Sequence, residues 1–367
     1  MGNSKTMKQI KIFSLPSHQT KERTSGVDFV RIIQPMKYLN GYTTGEYTFK
    51  VDMFDINEIN QSGWDKISQE YDIVYLNYTV LDVQYAIMGC LVHGRNKKIV
   101  MDLDDAMWYL GKDNIVYDSI KELDGTYKLT CMLNDVDLIT TTNRYLKNVI
   151  TKNTNRYQDA IKVFPNYIDL SLYNHISPFK NNGQITLLHF GSTSHFEDLK
   201  NKDFLDGIDK IFYEYPNVKI KFIGAFLSEL KNKWGIRCEH DFGDVDIYKW
   251  AQNKFPQYID EADIIVVPLN DNIYNRCKSD IKFLEISSAK KVGIFSGTRP
   301  YLDTIEHGKT GFIANSGQDW YTYLKLLIDN AEKRREIGEN AYHFIKENRQ
   351  IQNHLQDYAE MFIQLLS

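Results

Sequence analysis

The sequence predicts an α/β protein in which two successive domains each contain a parallel β-sheet flanked by helices. A chain of 367 residues exceeds what one hydrophobic core usually supports, so two domains are expected. Short apolar runs alternate with longer amphipathic stretches, which is typical of βα units and parallel sheets. This alternation stops at a polar stretch, residues 169–183, and then restarts. We place the domain linker there.

Apolar runs in the first half predict strands at residues 10–15, 49–54, 73–76, 98–101, 138–140 and 162–164. Residues 26–39 predict a helix, with Ser25 as its N-cap, because a serine side chain can accept a hydrogen bond from the first turn. The second half predicts strands at residues 185–189, 219–223, 264–268 and 292–296. Amphipathic stretches predict helices over 320–346 and 354–366.

Composition excludes several classes of protein. Lys and Arg total 44 against 48 Asp and Glu, a net charge of -4, whereas proteins that coat nucleic acid are usually basic. The four cysteines form no C-x-x-C pair, which argues against a disulfide scaffold or a structural zinc site. No apolar run approaches the roughly 18–20 residues of a membrane span, and the N-terminus lacks a signal peptide's apolar centre. We expect a soluble cytoplasmic protein.

Residues just after the predicted strands are the first candidates for a site, because ligands of open α/β sheets bind beyond the C-terminal ends of the strands. Gly191 and Ser192 follow one strand, in a small-residue turn where backbone N–H groups can approach a phosphate. The alternative is an ordinary connecting loop. His195 follows closely, either as a functional residue or as a capping or core histidine.

A second candidate is the segment NRCKSDIKFLE, residues 275–285. With a helix beginning near Ser279, Lys282 and Glu285 lie about one turn apart. Lys278 and Lys282 can neutralise a diphosphate, and Glu285 can accept hydrogen bonds from ribose hydroxyls. The alternative is a solvated, charged helix face.

The third candidate is an acidic cluster, Asp102, Asp104 and Asp105, at the end of a predicted strand. Neighbouring carboxylates repel one another, so they need cations, hydrogen bonds or a shared proton. A divalent metal site, a general base and hydrogen bonding to sugar hydroxyls all fit, as does a helix N-cap. The loop 16–28, with His18 and Arg23, faces the same edge and is the fourth candidate.

Together these segments resemble the GT-B glycosyltransferases, particularly the retaining group often called family 4. The strongest match is KSDIKFLEISSAKKVGIFSGTRPYLDTIEHGKTGFIA, residues 278–314. The resemblance implies that Lys278 contacts phosphate and Glu285 binds ribose. In VKIKFIGAF (218–226) it implies that Gly224 lies beneath the nucleotide base, and in FGDV (242–245) it puts Val245 in the loop along the base edge.

The resemblance also implies an architecture and an activity. GT-B proteins have two Rossmann-like domains facing a central cleft, with a C-terminal helix that returns to the first domain. We therefore expect an acceptor-side domain over 1–175 plus 350–367 and a nucleotide-sugar domain over 176–349. The reaction would move a sugar from a UDP- or GDP-sugar to a hydroxyl, without an obligatory metal, in a catalytic site drawn from Asp104, Asp105, His18 and His195.

The acceptor stays open between a glycan, a lipid-linked sugar and a hydroxymethylated base in DNA. The last follows from a resemblance of SGVDF and DLDD to glycosyltransferases of bacteriophages. A DNA acceptor would require basic residues along one rim of the cleft, and the candidates are Arg23, Arg31, Lys37 and Arg95. One departure from the family is Cys277, which stands where the first of two glutamates eight residues apart is expected. A nucleotide-sugar epimerase and a catalytically inactive GT-B partner or scaffold protein are the alternative functions.

Overall fold

The computed structural model describes residues 7–16, 25–53, 69–78, 97–174, 183–241 and 255–367. The chain folds into two compact units. The first contains the described parts of Met1–Trp108, Asp118–Asp169 and Gln350–Ser367. The second contains Tyr109–Tyr117 and the described parts of Leu170–Arg349.

Seven described strands form the sheet of the first unit, in the order β2-β3-β1-β4-β5-β6-β7. Their bounds are β1 Lys8–Leu15, β2 Thr43–Thr44, β3 Tyr47–Met53, β4 Ile73–Asn77, β5 Lys98–Leu103, β6 Leu138–Thr141 and β7 Ile161–Val163. The β2–β3 pair is antiparallel, and the other described pairs are parallel. Every residue of β4 and β6 is buried, as expected for central parallel strands covered on both faces.

The described helices that precede the second sheet are α1 Gly26–Asp28, α2 Gln34–Leu39, α3 Tyr117–Glu122, α4 Gly125–Asp135 and α5 Arg144–Asn153. Ser25 caps α1 as predicted, since its side chain accepts a hydrogen bond from the Asp28 N–H at 3.0 Å. A π-helical segment, Phe29–Ile33, joins α1 to α2. Pro35 explains the irregular turn: it has no N–H for the Arg31 carbonyl, which instead accepts a 3.3 Å hydrogen bond from the Tyr75 hydroxyl.

Six described strands form the sheet of the second unit, all parallel, in the order β10-β9-β8-β11-β12-β13. Their bounds are β8 Ile185–Gly191, β9 Val218–Gly224, β10 Cys238–Asp241, β11 Ile264–Val267, β12 Val292–Ser296 and β13 Phe312–Ala314. Relabelled within this unit, the order is 3-2-1-4-5-6, the arrangement of Rossmann folds. Successive strands are therefore added on one side of β8 as far as β10 and on its other side from β11 onwards. The point between β8 and β11, where this order reverses, is the switch point at which such sheets bind ligands.

The remaining helices within the described ranges are α6 Lys202–Glu214, α7 Ser228–Trp234, α8 Phe255–Glu261, α9 Ile273–Cys277, α10 Ile281–Ser288, α11 Arg299–Leu302, α12 Gly317–Asp329, α13 Ala331–Asn348 and α14 Leu355–Leu366. Helix α14 belongs to the first unit, as predicted. Its Tyr358 and Phe362 rings lie 4.9 Å and 5.7 Å from the Phe164 and Tyr75 rings. No helix among the described residues has the length and apolar character needed to cross a membrane.

Candidate functional site

The glycine at the end of β8 brings two predicted site residues together. A Cβ atom at Gly191 would lie 2.9 Å from Cδ2 of His195 and 3.3 Å from Nζ of Lys282. A larger residue at this position would therefore displace both side chains. Gly224, at the end of β9, has φ +82°, and a Cβ there would lie 2.2 Å from the Gly191 carbonyl oxygen. Gly224 requires glycine because its φ is positive and the two strand ends approach closely, whereas a side chain at Gly191 would meet the His195 ring and the Lys282 ammonium.

His195 is buried and is tied to Asp198, at 2.9 Å between Nδ1 and a carboxylate oxygen. The second carboxylate oxygen of Asp198 accepts hydrogen bonds from the Asn270 N–H at 2.9 Å and the Asn275 side-chain amide at 2.7 Å. These two N–H donors favour the ionised carboxylate, which accepts on both oxygens, and we therefore assign Nδ1 of His195 as the donor to the other oxygen. Asp198 thus joins the loop after β8 to the loop after β11 across the switch point.

Burial is the main influence on the titration of this cluster. It lowers the pKa of His195 well below its ordinary value, and the charges of Lys282 and Lys278 lower it further. Burial also raises the pKa of Asp198. Hydrogen bonds from Asn270 and Asn275 lower it, but by less than burial raises it. His195 is therefore neutral at pH 7.

Lys282 is 9% exposed, on α10. Among the described residues, no hydrogen bond or ion pair reaches its ammonium group, which lies 5.1 Å from the centre of the Phe190 ring. Burial lowers the pKa of Lys282, although the nearby Glu285 carboxylate raises it. Burial likewise raises the pKa of Glu285, which also has no hydrogen-bond partner within the described ranges. An uncompensated buried charge costs stability, so these two residues are candidates for binding a ligand.

The loop before α10 positions Lys278 and Ser279. The Lys278 ammonium lies 4.7 Å from the centre of the Tyr274 ring. Asp280, at the start of the helix, accepts 2.9 Å and 2.8 Å hydrogen bonds from Arg349 and the Thr304 hydroxyl. These contacts fix the position at which the helix begins. Cys277 is fully buried at the end of α9.

A cavity of about 310 Å³ opens beside Asp198 in the second unit. Its lining combines aromatic rings with side-chain amides and carboxylates: Tyr109, Gly111, Asp113, Asn114, Ser194, Phe196, Glu197, Asp198, Asn270, Asn272, Tyr274 and Asn275. Such a lining offers hydrogen-bond donors and acceptors to a polyhydroxyl ligand and flat surfaces for its apolar faces.

The structure divides the predicted acidic cluster into residues with different surroundings. Asp102 is fully buried and accepts 2.9 Å and 2.7 Å hydrogen bonds from the Arg31 guanidinium, plus a 2.6 Å bond from Thr140. This buried ion pair is structural, so interpreting Arg31 as a residue of a binding surface was wrong. Asp104 and Asp105 are half-buried. The pKa of Tyr78 is raised mainly by burial and, to a smaller extent, by the negative charges of Asp105 and Asp104.

Three predicted donor-side residues, Gly191, Gly224 and Lys282, lie together at one edge of the second sheet, and His195, predicted as a catalytic candidate, lies beside them. The charge of Lys278 acts on the same histidine, and Ser192 and Ser279 lie in the loops beside it. Asp104 and Asp105 belong to the first unit. His18 and Val245 lie outside the described residues. Within those residues, no group of three His, Cys, Asp or Glu side chains is arranged to hold a metal ion.

Two site residues, Asp198 and Asn270, were not predicted from the sequence, and Asn275 was included only as the first residue of segment 275–285, without a role. The spacing of His195 and Asp198, three residues apart, is the available signal for the first, because it allows a local hydrogen bond. No sequence pattern indicates that the two asparagines, more than 70 residues away, donate to the same carboxylate.

Solved structures with the same architecture include HepE of Anabaena in complex with UDP-glucose, with a TM-score of 0.67 and 14% identity over 97% of this chain and 100% of HepE. A sucrose-phosphate synthase of Thermosynechococcus elongatus gives 0.66 and 12% identity over 97% of this chain and 99% of that one. A glycosyltransferase of Rickettsia africae has a TM-score of 0.63 and 15% identity, over 98% of this chain and 99% of that one. The chain has the GT-B fold, and the predicted fold class is thereby confirmed. No protein-family model matches the chain, and no curated protein sequence matches it either.

Proposed function

We propose that this GT-B protein is a glycosyltransferase that moves a sugar from a nucleotide-sugar to a hydroxyl group. The observation that carries the proposal is Lys282, a buried ammonium without an acceptor among the described residues, beside Gly191 at the switch point. A diphosphate supplies the missing negative charge at the place where Rossmann-type sheets bind nucleotides. The binding of UDP-glucose by HepE, a structure of the same fold, supports this choice of ligand.

The donor-side roles follow the chemistry of each group. Lys278 and Lys282 bind the diphosphate, and the Glu285 carboxylate accepts hydrogen bonds from ribose hydroxyls. The remaining donor-side positions contribute backbone hydrogen-bonding groups or, at the glycines, allow the ligand to come close to the backbone. They are Gly191, Ser192, Gly224, Val245 and Ser279. We assign the donor as a UDP- or GDP-sugar, bound by the domain over 176–349.

Catalysis in this proposal is mainly electrostatic. As the bond between the sugar and the diphosphate breaks, its electron pair moves onto a phosphate oxygen, and the two lysines stabilise the charge that develops. Cationic side chains perform this task without a metal ion. In the acceptor domain, over 1–175 with 350–367, Asp104 or Asp105 receives the proton of the acceptor hydroxyl, with His18 as a further candidate.

The assignment to the retaining family 4 group rests on the sequence resemblance of segment 278–314.

Binding of nucleotide-sugars tests the proposal. UDP-glucose, UDP-N-acetylglucosamine and GDP-mannose are titrated into the protein by calorimetry, and we expect at least one to bind. At about 100 times its dissociation constant it should add about 2.7 kcal/mol of stability. Glu285→Gln should weaken that binding by about 1.5–3 kcal/mol, because a charged hydrogen-bond acceptor is lost.

Other outcomes identify the alternatives. A protein that binds none of the three nucleotide-sugars is not this enzyme, and the inactive partner or scaffold then becomes the better interpretation. Release of an altered nucleotide-sugar without any acceptor present identifies an epimerase instead. Radiolabelled sugar on an added saccharide, dependent on Lys282, is the result expected for a transferase.

A further inference from the structure

His195 and Lys282 both approach Gly191 at the end of β8. The Nδ1 atom of His195 is held by Asp198, whereas no hydrogen bond from the described residues reaches Nε2. Cδ2 of the ring, the carbon bonded to Nε2, and the Lys282 ammonium lie 2.9 Å and 3.3 Å from where a Cβ of Gly191 would stand. A single ligand group beside Gly191 can therefore contact both side chains.

Asp198 fixes the chemical form of that histidine. Because the carboxylate accepts Nδ1–H, the neutral ring has Nε2 as an unprotonated acceptor, and an imidazolium would be stabilised by the same carboxylate. The support around Asp198 is rigid: one of its oxygens accepts from a backbone N–H and a side-chain amide, on Asn270 and Asn275. The pair is therefore held in place before any ligand arrives.

The charges around the ring decide when Nε2 carries a proton. The titratable groups that act on the pair are Lys282 on α10, Lys278 before that helix and His189 on β8, besides Asp198 itself. The two ammonium groups and burial keep the ring neutral in the free protein. An anion bound to Lys282 cancels that repulsion and adds negative charge near Nε2, which favours the imidazolium.

We propose that His195 and Asp198 form a proton-accepting pair that binds the donor diphosphate together with Lys282, and that His195 takes up a proton when the nucleotide-sugar binds. The inference rests on the proposed function, because it takes a diphosphate as the ligand of Lys282. In the complex, Nε2–H donates a hydrogen bond to a phosphate oxygen while Nδ1–H continues to donate to Asp198. No covalent step is involved, and the proton comes from solvent.

Proton uptake has a defined sign. The pKa of His195 is low in the free protein and higher in the complex, so between these values binding consumes one proton. Affinity for a nucleotide-sugar must then fall by up to tenfold per pH unit as the pH rises through this interval. UDP-glucose suits the measurement because its phosphates are both esterified, whereas the terminal phosphate of UDP titrates near pH 6.

Calorimetric titration of UDP-glucose between pH 6 and 7.5, in buffers of different ionisation enthalpy, measures the protons taken up. We expect the wild type to take up about one proton more than His195→Gln and to show a correspondingly steeper pH dependence of affinity. Burial moves the pKa of Lys282 to about 8 and the pKa of Glu285 to about 7, so these groups exchange protons in both proteins and cancel in the comparison. His354→Gln is the matched control, since His354 is also held by an aspartate three residues later, at 2.9 Å, and belongs to the first unit. It should behave as the wild type.

Imidazole nitrogen NMR of the wild type provides a readout that requires no variant to fold. His195 should be the neutral Nδ1–H tautomer in the free protein and doubly protonated in the complex. A ring that stays neutral in the complex, or equal proton uptake by His195→Gln, overturns this inference and leaves the proposed function intact. If UDP-glucose fails to bind, UDP-N-acetylglucosamine and GDP-mannose replace it; failure of all three overturns both proposals.

Discussion

The buried charges of α10 show a conflict between stability and binding at single residues. Lys282 is nearly inaccessible, yet its ammonium has no acceptor among the described side chains, and the half-buried Glu285 carboxylate on the same helix has no donor there. An unpaired buried charge is costly and does not help the helix to fold. Residues that contradict their local surroundings in this way are expected at functional sites, where a ligand completes their interactions.

Replacing Lys282 with methionine should separate the two effects. The methionine keeps much of the apolar side chain but removes the charge, so the stability of the free protein should stay the same or rise. Affinity for the nucleotide-sugar should fall by about 1.5–3 kcal/mol, or about 10–150-fold. Thermal unfolding without ligand and calorimetric titration with it measure the two quantities.

Lys309→Met is the control for the loss of a lysine in the same unit. Lys309 pairs with Glu306 at 2.9 Å on an exposed surface, where an ion pair contributes little. The control should retain donor affinity. Loss of stability in Lys282→Met with unchanged affinity of the folded fraction would show that the ammonium is structural.

His189 should make the protein sensitive to acid. Burial, and then the charge of Lys282, lowers the pKa of His189 from 6.5 to about 3, while Nδ1 donates to the Val266 carbonyl at 3.1 Å. Below pH 6.5 the His189 imidazole is protonated in the unfolded chain but stays neutral in the folded protein. The free energy of unfolding therefore falls by up to about 1.4 kcal/mol per pH unit because of this residue. The loss is complete near pH 3.

His189→Gln should flatten that decline, because glutamine does not titrate and its amide can still donate to Val266. Unfolding free energies measured at intervals from pH 7 to pH 4 test this. The exposed His343→Gln is the matched control and should follow the wild type. An identical slope in His189→Gln and wild type would remove His189 as the cause.

The sequence indicated candidate site residues best where position along a strand determines them. Gly191, Ser192 and His195 were proposed because they lie at or just after the end of β8, and Lys282 and Glu285 because of their spacing on one helix. Sequence order does not reveal which side chain neutralises a charge. Asp102 was therefore grouped with Asp104 and Asp105, although Arg31, 71 residues earlier, is its partner.

At the scale of elements, the Arg31–Asp102 pair connects the π-helical segment to β5. Both side chains are fully buried, at 1% and 0% exposed, and Arg31 also donates to the Phe164 carbonyl and to Asn166. Burial lowers the pKa of Arg31, but the Asp102 charge more than reverses this and raises it above its usual value. The pair thereby ties the first helix, the central sheet and the segment after β7 together.

Asp102→Asn should destabilise the protein by about 3–5 kcal/mol, because it leaves the Arg31 charge buried without its carboxylate. Calorimetric unfolding measures this loss. Asp104→Asn and Asp105→Asn are the comparison variants: they should cost less stability and, as proposed acceptor-side residues, lower sugar transfer while nucleotide-sugar affinity stays unchanged. Equal destabilisation by all three variants would contradict the division of the cluster.

Strands were predicted well where they are long, buried and rich in branched residues, as in β4 and β12. The sequence missed β2, β10 and β13, which contain two to four residues. Such short segments lack a hydrophobic period of their own and become strands because an adjacent strand offers hydrogen-bonding groups. Helix 26–39 was predicted with correct ends but without its π-helical segment, whose cause is the single proline.

For the whole molecule, net charge bears on the proposed acceptor. The chain has a charge of -4, and of the basic residues first considered for a DNA-binding surface, Arg31 is buried in an ion pair. Lys37 is exposed, and Arg23 and Arg95 lie outside the described residues. A polyanion such as DNA is repelled by a negative protein unless basic groups are concentrated locally. An uncharged saccharide or a lipid-linked sugar needs no such concentration.

We therefore expect labelled sugar to be transferred to a saccharide acceptor and not to hydroxymethylated DNA. Equal amounts of protein and radiolabelled nucleotide-sugar are incubated with a panel of saccharides, with hydroxymethylated duplex DNA and with unmodified duplex DNA as the control. Transfer to saccharides should change little between 50 and 200 mM salt, because no phosphate contacts need to form. Transfer to hydroxymethylated DNA alone, with rates that fall steeply with salt, would make DNA the acceptor, because each phosphate contact releases counterions on binding.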